Sequence, residues 1–313
     1  MKITVITINY NNKNGLFQTI RSVITQTNKD FEYIVIDGGS NDGSREVILE
    51  YEKDIDYWVS EKDSGIYNAM NKGIARAQGE YCIFMNSGDV FYNNKTLESI
   101  HSYLDGTCII NGDTFFQSGK VDKSPSEITL GFLLISTIIH QSTFIRTDLL
   151  KMNNYDEKYR IVSDWKFWLQ ELIIKGVSYK NVHIPVSIFD EGGISNTNVT
   201  LHDNEMILVL NELFPRKILM DYFDYMNGKT WEDKLYIEIK HSRFHNYIYK
   251  MNVFILKFIS LIKPSFKWIK KYPNLSSNSM INNEILFDVY GNNNVLDKIG
   301  LNQHENINNN NQL

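Results

Sequence analysis

Cysteine is nearly absent: Cys82 and Cys108, the only two in 313 residues, match no metal-binding or redox spacing and cannot build a disulfide framework. They read as small core residues of a chain that folds in a reducing compartment. A G-x-G-x-x-G turn is missing as well, which removes most of the support for a dinucleotide-dependent oxidoreductase. The amino terminus has a single lysine before an apolar run that Asn9 stops early. That is not the layout of a signal peptide, and the segment reads as a first strand. Nor is there a long hydrophobic run: the most apolar late segment, MNVFILKFISLI, contains Lys257 and falls short of the ~20 residues a membrane span needs.

Positive charge is scarce over most of the chain. The net charge is −5, yet Ile239–Pro273 holds eight Lys or Arg and no Asp or Glu, so that stretch carries +8 and leaves −13 for the remainder. An acidic body does not suit nucleic acid, and to bind an anionic substrate it must gather positive charge locally or hold a metal. The basic stretch is interleaved with aromatics such as Phe254, Phe258 and Trp268. It is expected to form an amphipathic helix on an anionic membrane surface, with packing on the protein's own acidic body as the alternative.

What is present is a regular alternation. KITVITIN, EYIVIDGG, DYWVSE, EYCIFMNSGD and CIINGD read as strands, and LFQTIRSVITQ, REVILEYEK, IYNAMNKGIARAQ and KTLESIHSYL between them as helices. This order predicts βαβ units around a mostly parallel sheet, an α/β domain of Rossmann type, with the carboxyl ends of the strands on one edge. From about Leu130 to Phe214 the pattern is less regular, with a helix expected at DWKFWLQELIIKG. The expected organisation is an α/β domain over 1–214, a helical basic extension over 215–273, and an Asn-rich, partly disordered tail over 274–313.

Four polar clusters follow the first strands: Asn9-Tyr10-Asn11, Asp37 to Ser40, Glu61 to Asp63, and Asn86 to Asp89. In Asp37-Gly-Gly-Ser-Asn-Asp-Gly-Ser44 the glycines let backbone approach a ligand, and a carboxylate can read a base N–H or ribose hydroxyls. An ordinary β-to-α turn, with Asp42 or Ser44 as helix cap, fits the same residues. Asn86-Ser-Gly-Asp89 ends a buried run with a carboxylate beside a glycine, suited to holding a hard divalent cation against phosphate oxygens, or to a plain Asx turn. Asp164 begins a helical pattern, where an acid also serves as a cap. His140 ends an apolar run, a place where histidines are often structural, and Lys72 reads as part of a polar helix face. The pair Trp165 and Trp168 reads as core, and the turn from Glu191 to Ser195 as a loop that can close over a diphosphate.

Together these segments resemble a family 2 glycosyltransferase of the GT-A fold. TVITINYNN is similar to that family's opening strand and nucleotide-contacting turn, VIDGGSNDGS to its DDGSTDGT-like segment, and SEKDSGIYNAMNKGIARAQGEY to its D-x-G-x-Y-x-A-x-N-x-G block. FMNSGD stands where the family's D-x-D lies, and HQSTFIR and VSDWKFWLQ resemble later blocks. The resemblance covers roughly residues 1 to 200. It implies that Thr7, Asn9, Tyr10, Asp37, Gly38, Asp63, Gly65, Tyr67, Asn71, Asn86, Ser87 and His140 line the nucleotide and donor-sugar pocket. It further implies that Asp89 holds Mn2+ or Mg2+ and that Asp164 is the catalytic base. Two departures stand out: Asp37-Gly38 replaces consecutive aspartates, and Asn86 replaces the first aspartate of D-x-D, leaving Asp89 as its sole carboxylate.

The expectation is inverting transfer of a sugar from a nucleoside-diphosphate donor, UDP-linked, to a hydroxyl of a lipid-linked glycan. The enzyme would be cytoplasmic, peripherally attached to the inner face of the cell membrane, and at work on cell-surface polysaccharide. A nucleotidyltransferase is one alternative, although the chain lacks the Gly-rich, Lys/Arg-bearing loop a triphosphate requires. A non-catalytic sugar-nucleotide-binding scaffold is the other; the reduced D-x-D favours it and the retained Asp164 opposes it.

Overall fold

Strand β1 (Ile3–Asn9) is buried along its whole length because helices cover both faces of the sheet at this point. Its period-two alternation sends Ile3 and Val5 toward α1 (Lys13–Ile24), where they pack with Leu16, Ile20 and Val23. The opposite face carries Ile6 against α3 (Ile66–Arg76), so closely that a Cβ on Gly73 would lie 2.5 Å from the Ile6 side chain. Glycine in mid-helix costs about 0.5–1 kcal/mol of intrinsic stability, and here that loss admits the helix backbone to the sheet. The computed structural model describes residues 2–192, 198–227 and 250–251.

The other strands are β2 (Phe31–Asp37), β3 (Tyr57–Ser60), β4 (Tyr81–Phe84), β5 (Val90–Phe91), β6 (Ile109–Phe116), β7 (Val121–Asp122), β8 (Thr143–Arg146) and β9 (Tyr179–Phe189). They form one sheet in the order β3-β2-β1-β4-β8-β6-β9-β5, with β7 paired to β6. Helices α2 (Ser44–Glu50), α4 (Thr96–Ile100), α5 (Leu130–Ile135), α6 (Thr147–Met152) and α7 (Ser163–Trp168) complete the domain body.

The first four strands in that order are parallel, as the alternation predicts, so the four polar clusters emerge on one edge. The second half of the sheet is mixed: β8 is antiparallel to β4 and β6, while β9 is parallel to β6. The reversal has a plain cause. Residues 140–142 lie at the carboxyl edge of β4, and β8 runs back from there until Arg146 stands opposite Tyr81. His140 and Gln141 are thereby delivered to the site edge from the strand's beginning, the reverse of a βαβ unit. The helix expected over DWKFWLQELIIKG is α only to Trp168 and continues as a π-helical turn over Leu169–Ile174, with the Lys175 N–H donating to the Gln170 carbonyl at 2.9 Å.

The chain divides into two compact units, Met1–Val209 and Leu210–Leu313. Helix α8 (Val199–Leu213) crosses that division, and α9 (Arg216–Asn227) belongs to the second unit. Most of the basic stretch, the Asn-rich tail, and Gly193 to Ser195 of the expected diphosphate loop lie outside the described residues. Among the described residues, no helix is long and apolar enough to cross a membrane.

Candidate active site

The loops after β1 and β2 are stitched into one surface. Asn11, at φ 49°, donates its N–H to Ser40 Oγ (2.8 Å) and accepts the Asn41 N–H on Oδ1 (3.0 Å). Asp42 accepts the Lys13 N–H. Asp37 is the buried hub of this surface: Asn9 Nδ2, the Ser40 hydroxyl, the Ser40 N–H and the Ser60 hydroxyl all donate to it, at 2.5–3.0 Å. Burial alone would raise its pKa, but these donors hold the carboxyl below its ordinary value. They also occupy each of its roughly four lone pairs. In this arrangement Asp37 fixes the turn, and other groups stand open beside it.

Those groups converge on Gly38. A Cβ built there would lie 2.6 Å from Asp63 Oδ2 and 3.2 Å from the ring of Tyr10, whose side chain is two-thirds exposed. An open aromatic face and a carboxylate thus flank bare backbone. Gly65, at φ 131°, turns the chain into α3 and donates its N–H to Asp63 Oδ1. Lys72 pairs with Glu61 at 2.7 Å, consistent with a polar helix face. Thr7 is fully buried with its hydroxyl on that of Tyr33 (3.1 Å). Asn71 uses its amide on the Tyr155 backbone and Glu157, and so ties α3 to the 155–157 segment.

At the end of β4 the turn Asn86 to Asp89 is held from beneath by Thr19 of α1, whose hydroxyl faces the carbonyls of Asn86 and Asp89 and accepts the Gly88 N–H. Ser87 donates to the Ile8 carbonyl. Asp89, 3% exposed, accepts Gln141 Nε2–H and the Asp190 N–H, each at 2.8 Å. Burial outweighs both donors and pushes its carboxyl up to about 6. Gly88 has φ 107°, and a Cβ there would strike Asp190 Oδ2 at 2.4 Å. Asp190 and Gln141 are therefore part of this corner. Asp190 had a legible signal, being an acid that ends an apolar run beside glycines, the same pattern that singled out Asp89.

Asp164 is met by the residue before Gln141. His140 Nδ1 faces its Oδ2 at 3.0 Å, and Oδ1 meets the Tyr67 hydroxyl (2.8 Å) and the Trp165 N–H (2.9 Å). Burial would raise this carboxyl too, but the hydrogen bond and charge of His140, with the Tyr67 and Trp165 donors, hold it below the ordinary value. Tyr67 is itself buried, so its hydroxyl stands on Asp164 and the Ile161 carbonyl. His140 Nε2 meets Asn86 Nδ2 at 3.0 Å. Consecutive residues His140 and Gln141 therefore join the Asp164 carboxylate to the Asn86–Asp89 turn. Trp165 and Trp168 are core residues, the former donating to the Leu133 carbonyl. Cys82 is buried, and its thiol is pushed up to about 12 by that burial.

A sheet of this order, with its polar turns gathered at the ends of four parallel strands, is the GT-A fold of glycosyltransferases. S. aureus TarS 1-349 in complex with UDP-GlcNAc superposes with a TM-score of 0.55 at 20% identity, over 67% of this chain and 64% of that one. The mannosyltransferase PcManGT from Pyrobaculum calidifontis, in complex with GDP-Man and Mn2+, has a TM-score of 0.54 at 14% identity, over 90% and 86%. This chain spans just under two thirds of the TarS 1-349 chain, 65% of it in a second crystal structure. Residues 4–161 match the family described as Glycosyl transferase family 2, and the chain belongs to that family. A PGL/p-HBAD biosynthesis glycosyltransferase of Mycobacterium bovis is 27% identical over 57% of this chain and 73% of its own length. An uncharacterized glycosyltransferase of Mycobacterium tuberculosis is 32% identical over 55% and 69%.

Proposed function

We propose that this glycosyltransferase catalyses inverting transfer of a sugar from a nucleoside-diphosphate donor, UDP-linked, to a hydroxyl of a lipid-linked glycan in cell-surface polysaccharide assembly. One observation carries the reading: the Asn86–Asp89 turn and Asp164 are bound to consecutive residues of one segment, His140 and Gln141. A carboxylate on the leaving-group side and one on the acceptor side are what a single displacement needs. Tyr10, Gly38 and Asp63 form the nucleoside niche, and Asp164 takes the acceptor's proton on the face opposite the leaving diphosphate.

The oxygen chemistry of the corner at Asp89 fits a hard cation. Gln141 Oε1 is buried without a partner beside the Asp89 carboxylate, and Asp190 adjoins it. Among the described residues no group of three or more His, Cys, Asp or Glu comes together, so diphosphate oxygens and water would complete the shell of Mn2+ or Mg2+ held at Asp89. When bound, the cation would neutralise charge on the departing diphosphate. The UDP-GlcNAc and GDP-Man complexes of the two structural neighbours support a nucleotide-sugar donor.

The +8 stretch supports peripheral attachment to the anionic inner face of the membrane, at about 1 kcal/mol per basic residue near such a surface. Incubation with a panel of nucleotide sugars tests the central reading: one UDP-sugar should be slowly hydrolysed, and product from that donor should have inverted anomeric configuration. Retained configuration, or release of pyrophosphate from a triphosphate, overturns it.

A further inference from the structure

Two elements run on from the sheet to Asp89. The 140–142 turn brings the Gln141 side chain to Oδ2, and the end of β9 brings the Asp190 N–H to Oδ1. The main-chain ladders hold the two against each other poorly. Strand β8 pairs with β6 from Ile145 opposite Ile109 to Thr143 opposite Asn111, so Ser142 stands past the end of that ladder. On its other edge β6 slips register against β9 on either side of Asp113, and pairing resumes at Thr114 opposite Ser187.

Three hydroxyls bridge this gap. Ser142 Oγ stands 2.7 Å from the hydroxyl of Thr114 and 2.7 Å from that of Ser187. Because β6 lies between β8 and β9, Ser142 reaches across it to touch the far strand. The three residues are at most 2% exposed, so water does not compete for these contacts. A hydroxyl donates once and accepts twice, which lets Ser142 serve both neighbours together. Ser142 adjoins Gln141 in the chain, and Ser187 stands just ahead of Asp190. The hydroxyl chain is therefore a direct tie between the two backbones that close on Asp89.

We infer that Thr114, Ser142 and Ser187 are positioning residues whose buried hydroxyl chain sets Gln141 against Asp190 around Asp89, and so sets the affinity of that corner for a hard divalent cation. This rests on the reading of Asp89 as the cation's ligand. A small octahedral cation tolerates little displacement of an oxygen ligand. If the partners that pin the Asp89 carboxylate drift apart, cation affinity falls, while the nucleoside niche at Tyr10, Gly38 and Asp63 is left as it was. Alanine at 142 severs both contacts. Valine at 114 severs one and keeps the shape of the side chain, and serine at 114 severs neither.

The test is a Mn2+ titration of the full chain with UDP present, followed by the electron paramagnetic resonance of free Mn2+, with UDP affinity in EDTA measured alongside. Ser142→Ala should weaken Mn2+ binding about 10–100-fold, the scale for outer partners of metal ligands, and leave UDP affinity in EDTA within about two-fold. Thr114→Val should weaken Mn2+ binding by less, and Thr114→Ser should bind as the wild type does. Thr147→Val, which removes a buried hydroxyl just past the other end of β8, should also match the wild type. Mn2+ affinity unchanged in both Ser142→Ala and Thr114→Val overturns the inference. So does Thr114→Ser as weak as Thr114→Val, or an equal loss of Mn2+ and UDP affinity in Ser142→Ala. A wild type that binds no Mn2+ beside UDP, or Asp89→Asn that binds it equally well, overturns the reading of the corner and the inference with it.

Discussion

The backbone N–H of Asp190 donates to Oδ1 of Asp89 at 2.8 Å, so a residue that follows β9 closes over the carboxylate at the end of β4. With Gln141 on Oδ2, the Asp89 side chain is pinned at both oxygens and nearly removed from water. Its carboxyl is pushed up to about 6 by that burial, against about 3.9 in an unfolded chain. The folded state therefore keeps a proton that the unfolded state gives up between those two values. Stability should fall as pH rises through that window, by about 3 kcal/mol in all, and level off above it.

Asp89→Asn removes that cost. Asn accepts the Asp190 N–H as before, and Gln141 can reverse its amide so that its unpartnered Oε1 takes the new amide hydrogen. In the absence of metal, the variant is expected to gain about 1–3 kcal/mol at pH 7–8 and nothing below pH 4, measured by urea unfolding. It should also lose the added thermal stability that Mn2+ with UDP is expected to confer on the wild type, since a ligand stabilises only the state that binds it. A variant that stays metal-responsive would exclude Asp89 as the ligand.

Gly88 is constrained twice, by φ 107° and by the Asp190 carboxylate. The Asp190 Cβ and Cγ both lie 3.2 Å from the built Cβ, so the whole side chain must shift to make room. Gly88→Ala is expected to cost about 1–3 kcal/mol and to displace Asp190. An unchanged denaturation midpoint would show that this corner yields easily.

Glu205 of α8 accepts three successive backbone N–H groups, of Arg160 (2.8 Å), Ile161 (2.9 Å) and Val162 (3.3 Å), just before α7 begins. This places the Ile161 carbonyl under Tyr67 and the first turn of α7 under Asp164. Glu205→Ala leaves those donors unpaired and is expected to cost about 2–4 kcal/mol. Turnover should fall more than donor binding does. Equal loss of both, with an unaltered denaturation midpoint, would contradict this.

The parallel half of the sheet was legible because β-branched runs such as ITVITIN and YIVID are buried on both faces and alternate with helical periodicity. The later half was not. The eleven-residue β9 contains Pro185 and shifts register against β6 near Asp113, and a run shaped by such irregularity has no clean period. The residue types of the site could be named from sequence, but not its pairings. Tyr67 meets Asp164 across 97 positions and Gln141 meets Asp89 across 52, the second set by the reversed direction of β8, and periodicity encodes neither. Asp37 shows the same limit: its residue type was legible, but not the hydrogen bonds that make it a brace of the turn.

Asp164→Asn is expected to lower turnover with acceptor by roughly 10²–10⁴-fold while leaving donor affinity within a few-fold. In a single displacement the base must stand on the face away from the diphosphate; Asp89 meets Gln141, and Asp164 meets the neighbouring residue, His140. Because the Asp164 carboxyl is held below its ordinary value, this group should remain ionised down to mildly acidic pH. Turnover should therefore not decline through Asp164 until the pH drops below about 4. The sign for stability is the reverse of that for Asp89: Asp164 contributes stability present above the unfolded value and lost as pH falls through the lowered folded value. Asn keeps the size of the side chain and can still accept from Tyr67, so the variant should remain folded, as circular dichroism would register. Loss of rate without loss of structure then separates a base from a helix cap, and Asp164→Asn with near-normal turnover would end the assignment.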